Sequence, residues 1–205
     1  MLYTLECISQ AEQRLLEMLV ETSFRVNMTE QYRLSSGRLS PYYVDCKMVL
    51  SYPEARALIG QLMLARFQDI LTHVDAIGGL ELSAYPLAIA VSDAVYRDVV
   101  HALRAFVVRK EPKRHGLTKQ LEGLEQAEAS GKHALVVDDV ITTGKSTIKA
   151  IEKCREAGLV VTHAIALIDR EEDRGRQHIE DAGVRFDALF TLAQLARAAQ
   201  QLAEH

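Results

Sequence analysis

Residues 136–147 read Val136-Val137-Asp138-Asp139-Val140-Ile141-Thr142-Thr143-Gly144-Lys145-Ser146-Thr147. An apolar strand leads into two adjacent acids, then into a turn with hydroxyl groups and one glycine, and directly into a helix. The N–H groups of such a turn can bind an anion, and Gly144 allows close approach of the backbone. Hydroxyl groups that can add hydrogen bonds are those of Thr142, Thr143, Ser146 and Thr147. The segment predicts a phosphate site, where Asp138 and Asp139 can accept hydrogen bonds from a sugar or lie beside a metal.

Two other interpretations of this segment explain less of it. Gly144-Lys145-Ser146 resembles the end of a nucleotide-binding P-loop, but that motif needs a glycine five residues before Gly144, where this chain has Asp139. We therefore set the P-loop aside. An ordinary strand, turn and helix with capping residues is the second alternative. Capping explains one Asp or Thr, but not two acids and several hydroxyls around one glycine.

Strands and helices alternate along most of the chain. We predict strands at residues 75–78, 104–109, 134–138, 160–169 and 186–191, and helices around 15–20, from 51 to about 71, and at 86–99, 145–157, 177–182 and the C-terminus. We expect Ser51 to cap the second helix, with Pro53 in its first turn. This alternation is typical of an α/β fold with a doubly wound, mostly parallel sheet flanked by helices. Ligands in such sheets bind beyond the carboxyl ends of the strands.

Composition limits the class of protein further. The 205 residues are 48% hydrophobic and 25% charged, which fits one folded globular domain. A net charge of -4 argues against a nucleic-acid partner, since such partners favour an excess of Lys and Arg. Three widely spaced cysteines indicate neither a disulfide framework nor a metal site. No apolar run approaches the ~20 residues that span a bilayer. We therefore predict a cytoplasmic protein without a nucleic-acid or membrane partner.

Residues 136–147 closely resemble the signature with which type I phosphoribosyltransferases bind phosphoribosyl pyrophosphate (PRPP). In that family two acids follow an apolar strand and precede a Thr/Gly phosphate loop. The resemblance implies that Asp138 and Asp139 contact the ribose hydroxyls and that residues 142–146 cradle the 5′-phosphate. The PRPP-binding residues that it implies are Asp138, Asp139, Val140, Ile141, Thr142, Thr143, Gly144, Lys145 and Ser146. It also implies Mg²⁺, held mainly through PRPP rather than by protein ligands.

A basic loop follows the predicted strand 104–109. Its beginning, Val108-Arg109-Lys110-Glu111-Pro112-Lys113-Arg114-His115-Gly116, resembles the mobile catalytic loop of the orotate phosphoribosyltransferases. Departing pyrophosphate develops negative charge, which cations that close over it stabilise as water leaves. A solvated basic loop is the alternative. The resemblance implies catalytic roles for Lys113, His115, Arg109, Lys110 and Asp139.

Two more segments are similar to the orotate branch of that family. Residues 34–43, Leu34-Ser35-Ser36-Gly37-Arg38-Leu39-Ser40-Pro41-Tyr42-Tyr43, match its N-terminal substrate segment, which implies that Tyr43 stacks on the pyrimidine. A plain Ser/Gly/Pro turn is the alternative. Arg170 follows a predicted strand at the orotate-binding position, and its paired donors suit a carboxylate. It could instead pair with Glu172 or Asp173 at the surface. The implied orotate-binding residues are Thr142, Arg170 and Tyr43.

The chain departs from the family where positive charge is expected. Gly78–Ala84 lies where the family places its pyrophosphate loop, although a plain turn explains it nearly as well. Many orotate enzymes carry a lysine in that loop and another at the position of Ser35, and both are missing here. Lys47 could replace part of that charge.

The resemblance also implies the organisation and activity of the whole chain. Residues 1–205 would form one phosphoribosyltransferase domain, in which residues 1–50 and part of the C-terminus contribute a small hood over the site. Two copies would form a homodimer with shared active sites. The activity would be transfer of the 5-phosphoribosyl group from PRPP to orotate, which gives orotidine 5′-monophosphate and pyrophosphate in de novo pyrimidine biosynthesis. A transferase for another base and a non-catalytic PRPP-sensing regulator are the alternatives.

Overall fold

A computed structural model of the chain describes residues 3–34, 37–111 and 120–204. These ranges contain ten strands and eight helices. In chain order they are α1 (Leu5–Thr22), β1 (Phe24–Val26), β2 (Tyr32–Arg33), β3 (Leu39–Ser40), β4 (Tyr42–Val44), α2 (Cys46–Leu50), α3 (Pro53–Leu71), β5 (Ala76–Leu80), α4 (Ala84–Val99), β6 (Arg104–Val108), β7 (Leu121–Glu122), α5 (Gln126–Ala129), β8 (His133–Ile141), α6 (Lys145–Glu156), β9 (Val160–Asp169), α7 (Gly175–Asp181), β10 (Arg185–Thr191) and α8 (Leu192–Ala203).

Six strands form the central sheet, in the order β10-β9-β8-β5-β6-β7. All neighbouring pairs are parallel except β6 and β7. The chain leaves β5 toward β6 on one side, and leaves β8 toward β9 on the other. The strand order therefore reverses between β5 and β8, and such a reversal opens a crevice at the carboxyl ends of the strands. The predicted doubly wound, mostly parallel α/β sheet is confirmed.

Both faces of the sheet are buried, which explains why the sequence of β8 does not alternate. Leu135 and Val137 point into a core that they share with α1, α3 and α4, whereas Ala134 and Val136 point into a second core with α6. All four side chains are almost fully buried. Two apolar faces fix the register of β8 firmly, because a shift of one residue would exchange the side chains of the two cores.

The N-terminal part of the chain adds two small antiparallel sheets beside the central one. β1 pairs with β4, and β2 pairs with β3. The preceding helix α1 is capped by Thr4, whose hydroxyl accepts a hydrogen bond from the backbone N–H of Cys7 at 3.2 Å. Leu15 and Leu19 anchor α1 in the core with α3 and α8. None of the described helices combines the length and apolar character needed to cross a membrane.

The predicted start of the second helix is wrong in one respect. α3 does begin at Pro53, but Tyr52 precedes it and provides no side-chain cap. Ser51 instead closes α2, where its hydroxyl donates to the carbonyl oxygen of Met48 at 2.6 Å. The sequence did not indicate α2 because a helix of five residues is too short to show a helical period.

Candidate active site

Asp138 organises the phosphate loop from within. Its side chain is buried, and its Oδ2 accepts hydrogen bonds from the hydroxyls of Ser146 and Thr147, each at 2.8 Å. Its Oδ1 accepts from the backbone N–H of Asp139 at 3.0 Å. Burial raises the pKa of Asp138 to about 7, and the negative charge of Asp139 adds to the rise. One carboxylate thus ties the end of β8 to the first turn of α6.

These bonds change the expected use of the loop's hydroxyls. Thr147 is 1% exposed and its hydroxyl donates to Asp138, so this group serves the loop rather than a ligand. The Ser146 hydroxyl also donates its hydrogen bond to Asp138. Thr142 and Thr143 remain partly exposed, as does Asp139. The groups left for the predicted anion site are therefore mainly backbone N–H groups in the loop and in the first turn of α6, with these two threonines beside them.

A second helix packs directly against the loop. Gly144 precedes α6 with a φ of +75°, and a Cβ there would lie 2.8 Å from the carbonyl oxygen of Gly175. A Cβ on Gly175 would lie 2.4 Å from the carbonyl oxygen of Thr142. His178 Nδ1 donates to the carbonyl oxygen of Thr143 at 3.0 Å. The start of α7 therefore fixes the loop at three successive residues, a role for Gly175 and His178 that local sequence patterns could not indicate.

Arg170 lies next to the phosphate loop because β9 pairs with β8. Its backbone N–H donates to the carbonyl oxygen of Ile141 at 3.0 Å. Its side chain is 2% exposed, and Nε donates to Glu172 at 3.0 Å. Nη2 donates to the hydroxyl of Ser40 at 3.0 Å and to the carbonyl oxygen of Tyr42 at 3.3 Å. Arg170 does pair with Glu172, but as a buried residue and not at the surface. Nη1 has no acceptor among the residues that the structure describes.

A second ion pair connects the N-terminal substrate segment to the turn after β9. Arg38 Nη1 lies 3.2 Å from Asp173 Oδ1. The turn itself is shaped by buried Asp169, which accepts from the backbone N–H of Glu171 at 2.8 Å and from Arg176 Nη2 at 3.3 Å. Residues 37–42 and 170–173 thus form one connected unit at the carboxyl edge of the sheet.

Tyr43 lies in β4 at the end of the N-terminal substrate segment, and Lys47 lies just beyond it in α2. Tyr43 is 40% exposed, and its ring is tilted by 34° against that of Tyr32, with the centroids 5.5 Å apart. Lys47 Nζ lies 2.5 Å from Asp45 Oδ1. This hydrogen bond raises the pKa of Lys47, and the charge of Asp139 adds to the rise. Lys47, whose position the sequence could not indicate, is therefore within electrostatic reach of Asp139.

The loop after β5 emerges beside the phosphate loop because β5 and β8 are neighbours. Gly78 pairs with Val136, and a Cβ on Gly79 would lie 2.0 Å from the carbonyl oxygen of Val137. Residues 81–83, the part of the predicted pyrophosphate loop that lies between β5 and α4, follow directly. The close approach of the two strands explains the glycine pair and brings the two predicted anion loops to one edge of the sheet.

The first part of the basic loop borders this same edge. Arg109 donates its backbone N–H to the carbonyl oxygen of Gln120 at 3.0 Å, and Lys110 donates its own to Glu81 Oε1 at 2.7 Å. Lys113 and His115, the other two predicted catalytic cations, lie outside the described residues, as does Ser35.

The described part of the chain offers few groups that could hold a metal ion without a ligand. Within the described ranges, no group of three or more His, Cys, Asp or Glu residues is arranged to hold one. The oxygens of Asp138 already accept three hydrogen bonds, whereas Asp139 is partly exposed. Mg²⁺ commonly binds through one or two carboxylates together with substrate phosphates. This donor set fits a magnesium ion that arrives with a polyphosphate ligand.

Comparison with known proteins agrees with this geometry. Residues 45–187, well over half of the chain, match the phosphoribosyl transferase domain family. The matched range includes both strand-end loops and Arg170. The fold and the site thus define a phosphoribosyltransferase.

Comparison with individual proteins narrows the assignment within this family. Over 183 residues, 89% of this chain and 96% of the relative, the chain is 41% identical to the orotate phosphoribosyltransferase of Aquifex aeolicus (strain VF5). The crystal structure of Mycobacterium tuberculosis H37Rv orotate phosphoribosyltransferase in complex with Fe(III) dicitrate has a TM-score of 0.73 and 33% identity, and the match covers 90% of this chain and 98% of that one. The same protein in complex with PRPP gives a TM-score of 0.69 at 32% identity, over 91% and 99% of the two chains. This chain belongs to the orotate phosphoribosyltransferase branch of the phosphoribosyltransferase family, which confirms the resemblance seen in its sequence.

Proposed function

We propose that this protein transfers the 5-phosphoribosyl group from PRPP to orotate, giving orotidine 5′-monophosphate and pyrophosphate in pyrimidine biosynthesis. The observation that carries the proposal is the position of Arg170. This buried guanidinium lies one strand away from the phosphate loop, and its Nη1 has no acceptor within the described parts of the chain. A base that carries a carboxylate needs such a donor beside the ribose-phosphate site.

PRPP would bind at the end of β8. We assign its 5′-phosphate to the N–H groups of residues 142–146 and its ribose hydroxyls to the acidic pair, as the family signature implies. The two acids differ in solvent exposure, which supports different roles for them. Asp139 is partly exposed and can accept from a sugar, whereas buried Asp138 holds the loop in shape through Ser146 and Thr147. A loop that is already shaped loses little conformational freedom when the ligand binds.

Orotate would lie between the loop and the N-terminal segment. Arg170 Nη1 would donate to its carboxylate, Thr142 would border it, and Tyr43 would stack on the ring. The hydrogen bonds from Arg170 to Ser40 and Tyr42 support this arrangement, because they hold the segment that carries Tyr43 beside the guanidinium. The prediction that residues 1–50 form a hood over the site has the same support. A cytoplasmic location stays part of the proposal, since all three cysteines are free thiols.

Positive charge for the leaving pyrophosphate would come from several sources. Arg109 and Lys110 lie at the carboxyl edge of the sheet, beside the predicted pyrophosphate loop. By resemblance, Lys113 and His115 would join them from the loop that follows. Lys47 would contribute from the side of Asp139. Mg²⁺, when bound with PRPP beside Asp139, would neutralise part of the charge that develops on the diphosphate. The residues of this chain would then orient the ribose between the base and the leaving group.

We further propose a homodimer with shared active sites. Four large apolar side chains in the loop after β5 and on α4 are exposed and follow helical spacing, which places them on one face: Leu82, Tyr85, Ile89 and Tyr96. Leu82 is 72% exposed although it lies in the predicted pyrophosphate loop. Because this face begins inside the candidate site, a second copy that covers it would border that site. This continuity favours another copy of the chain as the occupant.

An orotate-consumption assay with PRPP and Mg²⁺ tests the function. We expect turnover of orotate, and none of adenine, hypoxanthine or uracil at the same concentration. Asp139→Asn should reduce turnover strongly, which separates the activity from a contaminant. Turnover of another base but not orotate would refute the substrate assignment. Binding of PRPP without turnover of any base would support a PRPP-sensing regulator instead.

A further inference from the structure

The backbone of Arg109 and Lys110 is held at every polar group. The N–H of Arg109 donates to Gln120 O at 3.0 Å, and the N–H of Lys110 donates to Glu81 Oε1 at 2.7 Å. Both carbonyl oxygens accept from Nζ of Lys153, at 2.5 Å for Arg109 and 3.2 Å for Lys110. Two consecutive residues in a loop seldom have all four groups bonded within the protein, since loop backbone is usually solvated.

Lys153 reaches this point from the helix that follows the phosphate loop. α6 packs against β5, β6 and β8, and Lys153 projects from its second half toward the end of β6. The side chain is partly buried, and burial lowers the pKa of Lys153, with the charge of Lys149 adding to the effect. An ammonium group in such a place needs acceptors, and the two carbonyl oxygens supply them.

Glu81 holds the opposite side of the peptide group between Arg109 and Lys110, whose carbonyl oxygen accepts from Lys153. It belongs to the predicted pyrophosphate loop, and its own backbone N–H donates to Val108 O at 2.9 Å. Its carboxylate also lies near enough to Lys153 to counteract the lowering of that lysine's pKa. Glu81 therefore explains a departure from the family pattern: an acid stands in a loop where positive charge is expected, because it binds the start of the basic loop.

We propose that Lys153 and Glu81 are positioning residues that fix the backbone from which the Arg109 and Lys110 side chains extend. The proposal rests on the proposed function, in which those two cations face the leaving pyrophosphate. Fixing the three peptide planes that flank the two residues fixes the Cα–Cβ bonds of both. The contact also joins the phosphate-loop helix, the pyrophosphate loop and the start of the basic loop, so all three move as one body.

We call the hydrogen bonds from Lys153 and Glu81 to the backbone of Arg109 and Lys110 the clamp. Lys153→Met tests it, because methionine keeps much of the side-chain volume and removes both hydrogen bonds of Lys153. Misplacement of catalytic groups by about 1 Å can cost up to 100-fold in rate, so we expect kcat to fall by roughly 10- to 100-fold. The dissociation constant for PRPP should change by less than about threefold, since the phosphate loop is untouched. Lys153→Arg, which can still donate to two carbonyls, should recover part of the lost kcat.

Lys149→Met is the matched control. Lys149 is an exposed lysine on the same helix that makes no hydrogen bond to the described residues, and its loss should leave kcat close to that of the parent. Equal kcat in Lys153→Met and Lys149→Met would overturn the proposal. So would an equal loss of kcat and PRPP affinity in Lys153→Met, because that would indicate general disruption.

Hydrogen exchange at residues 109–111 tests the same idea without any activity. We expect faster exchange there in Lys153→Met and in Glu81→Ala, and unchanged exchange in Lys149→Met. Unchanged exchange in the first two variants would overturn the proposal even if catalysis were impaired. If the parent protein failed to consume orotate, the proposed function would fall, while the exchange measurement would still decide whether the clamp exists.

Discussion

The guanidinium of Arg170 donates a hydrogen bond to the hydroxyl of Ser40 at 3.0 Å, although the two residues are 130 positions apart in the chain. Arg170 also holds Glu172 and the carbonyl oxygen of Tyr42. It therefore combines a structural role, which joins the N-terminal segment to the sheet, with the proposed recognition of orotate through Nη1. Kinetic measurements can separate the two roles.

Replacing Arg170 with alanine should raise the KM for orotate much more than the KM for PRPP. A hydrogen bond to a charged group contributes about 1.5–3 kcal/mol, which corresponds to roughly a 10- to 100-fold rise in the orotate KM. Arg170→Lys should recover little, since an ammonium group lacks the planar fork of donors. Steady-state kinetics with each substrate varied in turn provide the measurement.

Two further variants provide controls for Arg170. Ser40→Ala removes the structural contact but leaves Nη1 in place, so the orotate KM should rise by a smaller factor. Arg197→Ala removes an exposed arginine of α8 that lines a surface cavity together with Arg170 and Tyr42, and its kinetics should match those of the parent. A rise in the PRPP KM as large as that for orotate would contradict recognition of the base by Arg170.

Asp138 should make stability fall as the pH rises from about 4 to about 7. An ordinary aspartate has a pKa of 3.8, whereas Asp138 in the folded protein has a pKa of about 7. Between these values the folded protein keeps a proton that the unfolded chain has released. The contribution of this proton is fully present below the lower pKa and is lost as the pH passes the upper one. The free energy of unfolding therefore falls by at most about 1.4 kcal/mol per pH unit.

Urea unfolding of the parent and of Asp138→Asn at several pH values tests this linkage. The asparagine cannot ionise, so the free energy of unfolding of the variant, minus that of the parent, should increase from pH 5 to pH 8. A constant difference across that range would show that Asp138 ionises normally in the folded protein.

Gly144→Ala should weaken PRPP binding by about tenfold or more, because the new Cβ would displace the loop from α7. The positive φ adds a backbone cost of about 1 kcal/mol. Gly183 is a suitable control, since it has a similar φ of +73° and nothing within 4 Å of a Cβ there. Calorimetric titration with PRPP and Mg²⁺ should show normal affinity in Gly183→Ala, and thermal unfolding should show a larger loss of stability in Gly144→Ala than in Gly183→Ala. Equal PRPP affinity in the two would contradict the assignment of the loop.

Lys47→Met should raise the KM for PRPP by roughly threefold to fivefold, since a half-exposed charge contributes modestly. Lys47→Arg should keep most of the affinity, and the orotate KM should change little in either variant. The contrast between methionine and arginine identifies the charge as the cause. If both variants behaved like the parent, Lys47 would serve only its ion pair with Asp45.

Shared active sites predict recovery of activity in mixed dimers. Lys113→Ala and Asp139→Asn should each be nearly inactive as homodimers. If the basic loop works across the interface, a heterodimer has one site with both defects and one with neither, and should show about half of the parent's activity. Verified heterodimers that stay inactive would refute shared sites and leave the proposed reaction untouched.

The strand–turn–helix of residues 136–147 could be predicted from the sequence because its signals are local: an apolar run, adjacent acids and a glycine before a helix. The strand at 160–169 was predicted with its exact bounds for the same reason. Other features depend on contacts between distant residues. β8 continues past Asp138 to Ile141 because β9 offers it pairing as far as Asp169. The bonds from Arg170 to Ser40 and from Lys153 to Arg109 depend on how the elements pack, which no local pattern encodes.

The close contact between Gly175 and Thr142 has a consequence for the order in which the site is built. A nascent chain that ends before residue 170 already contains the whole acidic and glycine motif, yet lacks α7, which supports the loop, and Arg170, which ties down Ser40. Contacts of such long sequence separation form late, because the intervening chain must first be ordered. The binding site is therefore completed only after α7 has left the ribosome, and fragments that end before residue 170 should lack the site although they retain the motif.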